Sequence, residues 1–248
     1  MDVARIARLL DPFLASSAED HRPHGAVPAA AALSPGQLRL ISKYIDLLLR
    51  WNARINLTAV RQPDEIVTRH FGESMFAARH LFPLANPERS SRVEPGPGNT
   101  TQQVHVIDVG SGAGFPGLPI KIWAPHIRLS LIESSQKKAT FLREAIRTLT
   151  LTNVDVFAGR ANDFHPDTLR PNFPAANVVT LRAVERFDSI LSTAADLVKP
   201  SGRLAVLVGE SQMDRVRELA PGFAWSNPAK LPLSTSRFLL VGARNQDD

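Results

Sequence analysis

The stretch Val106-Ile107-Asp108-Val109-Gly110-Ser111-Gly112-Ala113-Gly114-Phe115-Pro116-Gly117 decides the fold of this chain. An apolar run ends in a carboxylate, and a glycine-rich turn then opens a new apolar segment. Glycine lets the backbone turn sharply and approach a ligand closely, and a helix that starts there offers unpaired N–H groups. A structural turn alone does not need three alternate glycines, so the segment reads as strand, ligand-binding turn and helix. The stretch Gly112 to Gly117 also satisfies G-x-G-x-x-G, a dinucleotide pattern that is weak on its own. Asp108, two residues before Gly110, shifts the reading, because a carboxylate beside the loop repels a pyrophosphate and favours a cationic ligand.

That arrangement, D-x-G-x-G-x-G, resembles the first motif of S-adenosylmethionine (SAM) methyltransferases, whose cofactor carries a sulfonium and an amino acid where a dinucleotide carries phosphates. Working outward, Val104–Val109 reads as a strand, 116–123 as a helix, 127–132 as a strand, 136–149 as a helix and 154–157 as a strand. A fourth strand over 177–181, a helix over 184–198, a fifth strand over 203–208 and a helix over 211–219 follow. Strands that alternate with helices imply right-handed crossovers and a parallel, doubly wound sheet. The last two strands, 223–225 and 238–243, are joined by a short segment and predict an antiparallel hairpin at the sheet edge. Glu133 closes the second strand, where an acid can accept hydrogen bonds from both ribose hydroxyls of either cofactor. Arg160-Ala161-Asn162-Asp163 follows the third strand, where methyltransferases recognise adenine.

The fourth strand bears on the acceptor. It ends Val179-Thr180-Leu181-Arg182-Ala183, without the Asn/Asp-Pro-Pro-aromatic turn typical of exocyclic-amine methylation; the near match Asn172-Phe173-Pro174 lies before the strand. The chain has no cysteine, which removes cysteine-dependent methylation and thiolate metal sites. Arg182 can orient a cofactor or acceptor but is a poor general base; a salt bridge to Asp188 or Glu185 is its plain structural role. The pattern fits an acceptor that needs no deprotonation, such as guanine N7, whose in-plane lone pair attacks a methyl group directly.

Upstream, Ser34-Pro35-Gly36-Gln37 predicts a capped helix start, and Leu38, Ile41, Ile45 and Leu48 give it one buried face. A second helix is expected from Pro63 or Asp64 to Phe82, after an irregular connector from Trp51 to Arg61. Met1 to Leu14 reads as an amphipathic helix, not a signal peptide. Ser16 to Ala32 and Asn86 to Gln103 read as mobile linkers. The 248 residues carry 29 basic and 24 acidic groups, and 23 of the basic ones are arginine. The surplus is concentrated in 39–92, with nine basic and five acidic residues. No run reaches the ~18–20 apolar residues of a membrane span, so a cytoplasmic protein is expected, with monomer as the default and no metal.

The combination RWNARINLTAV, then Arg69-His70 with Ser74, IDVGSGAGFPGLP, LIES with QKKATFLRE, the RAND segment and Arg182-Ala183 resembles the ribosomal RNA small subunit methyltransferase G (glucose-inhibited division protein B) family over roughly residues 35–243. The resemblance implies a class I SAM-dependent methyltransferase fold: α/β, Rossmann-like, a mostly parallel seven-stranded sheet with an antiparallel C-terminal hairpin and an N-terminal helical extension. It implies methylation of guanine N7 in 16S rRNA of the small subunit. The candidate SAM set is Asp108, Gly110, Gly112, Gly114, Phe115, Glu133, Ala161, Asn162 and Arg182, with Arg182 also catalytic. The candidate RNA-facing set is Trp51, Asn52, Asn56, Arg69 and His70. The expected division is an N-terminal helix and linker (1–33), a helical RNA-facing cap (34–85), a loop (86–103) and a SAM-binding domain (104–248). Two positions depart from the family pattern: Leu181 stands where serine is frequent, and Val208 where lysine is. The alternatives are a non-catalytic SAM-binding ribosome-assembly factor and an NAD(P) oxidoreductase.

Overall fold

The computed structural model describes residues 1–15, 33–83, 103–163, 175–184 and 186–246. The expected linkers, apart from Gln103, and Asn172 to Pro174 lie outside the described residues, as does Glu185.

The sheet contains β1 (His105–Val109), β2 (Arg128–Glu133), β3 (Val154–Ala158), β4 (Ala176–Arg182), β5 (Val198–Gly209), β6 (Phe223–Trp225), β7 (Ala229–Lys230) and β8 (Arg237–Arg244). Its order is β3-β2-β1-β4-β5-β8-β6, with β7 pairing β8. The first five strands pair in parallel, and β8 runs antiparallel to β5, β6 and β7. Val109 pairs with both Ile132 and Leu181, so β1, β2 and β4 end level. The strand order reverses between β1 and β4, and such a switch point opens a crevice at the carboxyl ends of the strands.

The sheet is thus the expected one with an eighth strand, the two-residue β7, which is too short to carry a period. Two boundaries moved for backbone reasons. The helix expected over 184–198 is α6 (Phe187–Asp196), because Ala183 and Arg186 adopt positive φ of 48° and 54° and keep the chain out of a helix before Phe187. Val198 belongs to β5 and pairs with Ala176 ahead of a register shift in β4. An apolar Leu197-Val198 pair reads equally well in either element.

The helices ahead of the sheet are α1 (Val3–Leu14), α2 (Pro35–Ile55) and α3, which runs through Pro63–Glu65, a π-helical stretch Ile66–Gly72 and Glu73–Leu81. Asp2 caps α1, and Ser34 with Gln37 forms the expected capping box on α2. Helix α2 continues to Ile55, more than one turn past Trp51, where the irregular connector was expected to begin. Asn52 lies four residues after Leu48 and is itself buried, so the inward face continues through a polar residue until Asn56 stops it in the left-handed region.

Helices α4 (Gly117–Trp123) and α5 (Gln136–Thr148) cover one face of the sheet, and α6 and α7 (Met213–Leu219) the other. Ile6, Phe13, Ile45, Phe71 and Met75 from the N-terminal helices share one apolar cluster with Leu118, Trp123 and Phe141. Gln37 Nε2 donates to Ile122 O at 2.9 Å and Trp123 Nε1 donates to Phe82 O at 2.8 Å, so polar contacts also cross that junction.

Candidate active site

The glycine turn is braced from three sides. The N–H groups of Gly110 and Ser111 both donate to Ile132 O, at 2.9 and 3.0 Å. Glu133, buried at the end of β2, accepts from Gly112 N at 2.8 Å and from Ser135 N at 2.7 Å. Behind the turn, Asp108 Oδ1 accepts from Thr180 Oγ1 at 2.7 Å and Oδ2 from Gly117 N at 3.2 Å. Gly110 and Gly114 take φ of +68° and +86°, a region that L side chains rarely enter. A Cβ on Gly110 would lie 2.6 Å from Val184 Cγ1, and one on Gly114 would overlap Tyr44 Oη and Leu118.

Asp108 therefore acts on the loop. It is fully buried with both oxygens turned to protein donors, and burial pushes its carboxyl up to about 6. The sequence argument that its charge selects a cationic ligand is corrected by this placement, since the carboxylate shapes the turn instead of facing the crevice.

In front of the turn, between the ends of β1, β2 and β3 and the start of α6, lies a cavity of about 410 Å³. Its walls include Val109, Gly110, Ile132, Gly159, Ala161, Asn162 and Ile190. That volume falls within the ~300–1,000 Å³ of small-molecule sites, and its walls mix apolar residues with the polar Ser134, Arg160, Asp163, Arg186 and Ser189, as a nucleoside with polar ring edges and ribose hydroxyls requires. Thr193 Oγ1 donates to Asn162 Oδ1 at 3.1 Å and fixes that amide. Of the candidate SAM residues, Gly110, Ala161 and Asn162 line the cavity. Gly112 and Glu133 join at its edge, Asp108, Gly114 and Phe115 lie behind the turn, and Arg182 stands apart at the end of β4.

Arg182 is the hub of a second constellation. Its Nη2 donates to Arg69 O at 2.7 Å and His70 Nδ1 at 3.2 Å, and pairs with Glu73 Oε2 at 3.1 Å. Glu73 Oε1 pairs with Arg237 Nη1. The structural partner of Arg182 is thus Glu73, while Asp188 pairs with Arg215.

His70 stacks on Phe115 with centroids 4.8 Å apart, and its Nε2 lies 2.8 Å from Thr58 Oγ1. An arginine can only donate, so His70 Nδ1 accepts and the ring proton sits on Nε2, directed at Thr58. Burial, with Arg182, Arg69 and Arg237 adding repulsion, pulls the imidazole down to about 3 and keeps it neutral at physiological pH.

These shifts set opposite pH slopes. In the unfolded chain His70 takes a proton near 6.5 and in the folded protein only near 3, so it contributes stability that is lost as pH falls through that window. Asp108, raised from 3.8 to about 6, holds its proton better when folded, so its contribution is lost as pH rises toward 6. In urea titrations at pH 4.5, 5.5 and 7, His70→Gln should therefore tilt the stability curve downward with pH relative to the wild type, and Asp108→Asn upward. Each change is at most about 1.4 kcal/mol per pH unit. Curves parallel to the wild type would contradict both assignments.

The residues expected to face RNA divide. Arg69 and Asn56 are exposed, and Arg69 pairs with Glu65 at 3.0 Å. Trp51 is half-buried against Phe141, and Asn52 is buried with its Oδ1 accepting from Thr58 N at 2.9 Å. The outward surface expected of Trp51, Asn52 and His70 is corrected on this point: they hold the connector and α3 against the core and the end of β4. Sequence reasoning missed Glu73, Arg237 and Tyr44, and it grouped Thr58 with the RNA-facing residues although its hydroxyl holds His70. Glu73 carried a signal, lying three residues after His70 on one helix; Arg237 carried none, because it reaches the site only through the sheet order.

The profile of the rRNA small subunit methyltransferase G family matches residues 37–234. Among curated relatives, the Streptococcus pyogenes serotype M12 (strain MGAS2096) ribosomal RNA small subunit methyltransferase G is 33% identical over 224 residues, spanning 87% of this chain and 86% of its own. The protein of that name from Exiguobacterium sp. (strain ATCC BAA-1283 / AT1b) is 32% identical over 215 residues, covering 86% and 81%. That from Desulfitobacterium hafniense (strain Y51) is 34% identical over 187 residues, covering 75% and 69%. With the glycine turn, the acidic β2 terminus and this sheet order, these matches establish that the chain belongs to the rRNA small subunit methyltransferase G family of SAM-dependent class I methyltransferases.

Proposed function

We propose that this chain transfers the methyl group of SAM to N7 of a guanine in 16S rRNA. The observation that carries the choice of acceptor is the state of the titratable groups around the crevice. His70 has both nitrogens engaged, Asp108 is locked behind the turn, Glu133 holds backbone N–H groups and Glu73 is shared by two arginines. Among the described residues none of these groups is placed to remove a proton from an acceptor, and Asp163, which also lines the cavity, belongs to the segment after β3 read as recognising adenine; guanine N7 brings its own lone pair. Catalysis then rests on orientation and exclusion of water.

SAM, when bound, supplies a methyl group on a cationic sulfonium. In this reading Gly110, Ala161 and Asn162 receive its nucleoside in the cavity, and Glu133 accepts the ribose hydroxyls while keeping Gly112 in place. Asp108, Gly114 and Phe115 shape the turn from behind, and Arg182 orients the acceptor. The helices 34–85 form the RNA-facing cap of the 104–248 domain. Arg39, Lys43, Arg50 and Arg54 are exposed on α2 at spacings of four, seven and four residues, which places them along one helical face. That stripe, about 22 Å long at 1.5 Å per residue, suits successive phosphates. We assign the protein to the cytoplasm as a monomer; among the described residues no helix is long and apolar enough to cross a membrane.

The test is transfer of labelled methyl from SAM to undermethylated small subunits and to naked 16S RNA, followed by digestion to nucleosides. Label in 7-methylguanosine is the expected result, and label confined to another nucleoside would overturn the choice of acceptor.

A further inference from the structure

The ion cluster at the ends of β4 and β8 is built around one carboxylate. Glu73 lies on α3 with a side chain 3% exposed, and it meets arginines from two strands that are not neighbours. Arg182 ends β4 opposite Leu207, and Arg237 starts β8 opposite Gly209, so the carboxylate bridges across the end of β5. Taking Glu73 and Arg182, 3% and 12% exposed, out of water costs several kcal/mol per ion, and apolar packing at such a place is often as stable or more so. The cluster is therefore poorly explained as a device for stability alone, and it sits at the carboxyl ends of β4 and β5, the end of the sheet where folds of this kind place their ligands.

Its geometry fits a clamp. All three acceptors of Arg182 meet Nη2, so among the described residues its Nε and Nη1 have no protein partner. Arg237 is steadied in turn by Ser234, whose Oγ accepts from its backbone N at 3.1 Å and its Nε at 3.3 Å. With a neutral imidazole on one side and one carboxylate between two guanidiniums, each arginine is held by its own contacts while the donors of Arg182 remain for substrate.

We infer that Glu73 is a positioning residue for methyl transfer, fixing Arg182 and Arg237 beside the acceptor base. The inference rests on the reading that Arg182 acts on the acceptor. Losing the carboxylate removes the one contact that the two arginines share, leaving Arg182 on Arg69 O and His70 and Arg237 on Ser234; their relative placement loosens while the cavity walls stay, so turnover should suffer and SAM binding should not.

The experiment compares wild type, Glu73→Gln, Glu73→Asp and Arg237→Gln for kcat and RNA KM on undermethylated small subunits, with SAM affinity by titration calorimetry and folding by circular dichroism. Glu73→Gln should lose about 10- to 100-fold in kcat, the size expected when a positioned group is misplaced by about 1 Å, with SAM affinity within about threefold. Glu73→Asp should regain part of the loss, and Arg237→Gln, which keeps the Glu73–Arg182 pair, should fall between wild type and Glu73→Gln. A folded Glu73→Gln with wild-type kcat would overturn the inference, as would a loss that appears only in SAM affinity. Where Glu73→Gln does not fold, the order of Glu73→Asp and Arg237→Gln decides: wild-type kcat in both overturns it. Failure of the underlying reading looks different, since Arg182→Ala would then turn over like wild type.

Discussion

Gly110→Asp should abolish detectable SAM binding, weakening it by at least ~100-fold, while the protein stays folded. Aspartate is among the few residues that tolerate positive φ, so the turn at +68° survives the exchange. What it does not tolerate is the space: the new Cβ lies 2.6 Å from Val184 Cγ1, and the side chain would grow from a residue that lines the cavity. Its carboxylate would also stand close to the end of β2, where Glu133 already anchors Gly112 N at 2.8 Å. Like charges there loosen the brace that holds the turn. A hundredfold loss corresponds to about 2.8 kcal/mol. Calorimetric titration with SAM measures it, and a melting curve shows whether folding survives. A folded variant that binds SAM within threefold of the wild type would remove Gly110 from the cofactor site.

The glycine turn was legible in the sequence itself. The turn is a backbone motif in which positive φ favours glycine and close approach leaves no room for a side chain, so Gly110 and Gly114 could be read directly. Glu133 was legible because it closes a strand at a fixed distance from the turn. The period of apolar residues located β1 to β5 and the capping box located α2. Other features depend on contacts that no local pattern encodes. Arg237 meets Glu73 only because β8 inserts beside β5, and Asp108 turns away from the crevice because Thr180 arrives from β4. Asn52 looked like a polar surface residue, yet its amide serves the connector that carries Thr58 to His70. The π-helical stretch at Ile66–Gly72 was invisible as well, although it carries Arg69 and His70, which hold Arg182.

Tyr44→Ala should be the most damaging single change to stability, and it tests whether the helical cap and the sheet fold as one unit. Tyr44 is completely buried on α2, stacked 5.5 Å from Phe115, edge-on to Phe71 at 5.2 Å, and 6.3 Å from Phe141. Its hydroxyl donates to Ala113 O, inside the glycine turn, and burial holds the phenol protonated. Truncating a buried aromatic costs about 3–5 kcal/mol, a large part of the ~5–15 kcal/mol that holds a domain together. At ~2–4 °C per kcal/mol for a chain of this size, the melting temperature should fall by roughly 10 °C. The ring belongs to the cap but packs on the turn and α5, so the shift should appear in one transition that carries both parts. Tyr44→Phe keeps the ring and removes the hydrogen bond, so it should cost only about 1–3 kcal/mol while loosening the Ala113 carbonyl and weakening SAM binding. Two resolved transitions in the wild type, with Tyr44→Ala moving only the first, would mean that the cap folds on its own. A single shifted transition would mean that cap and sheet unfold together, joined through Tyr44, which reaches from α2 to the Ala113 carbonyl of the glycine turn.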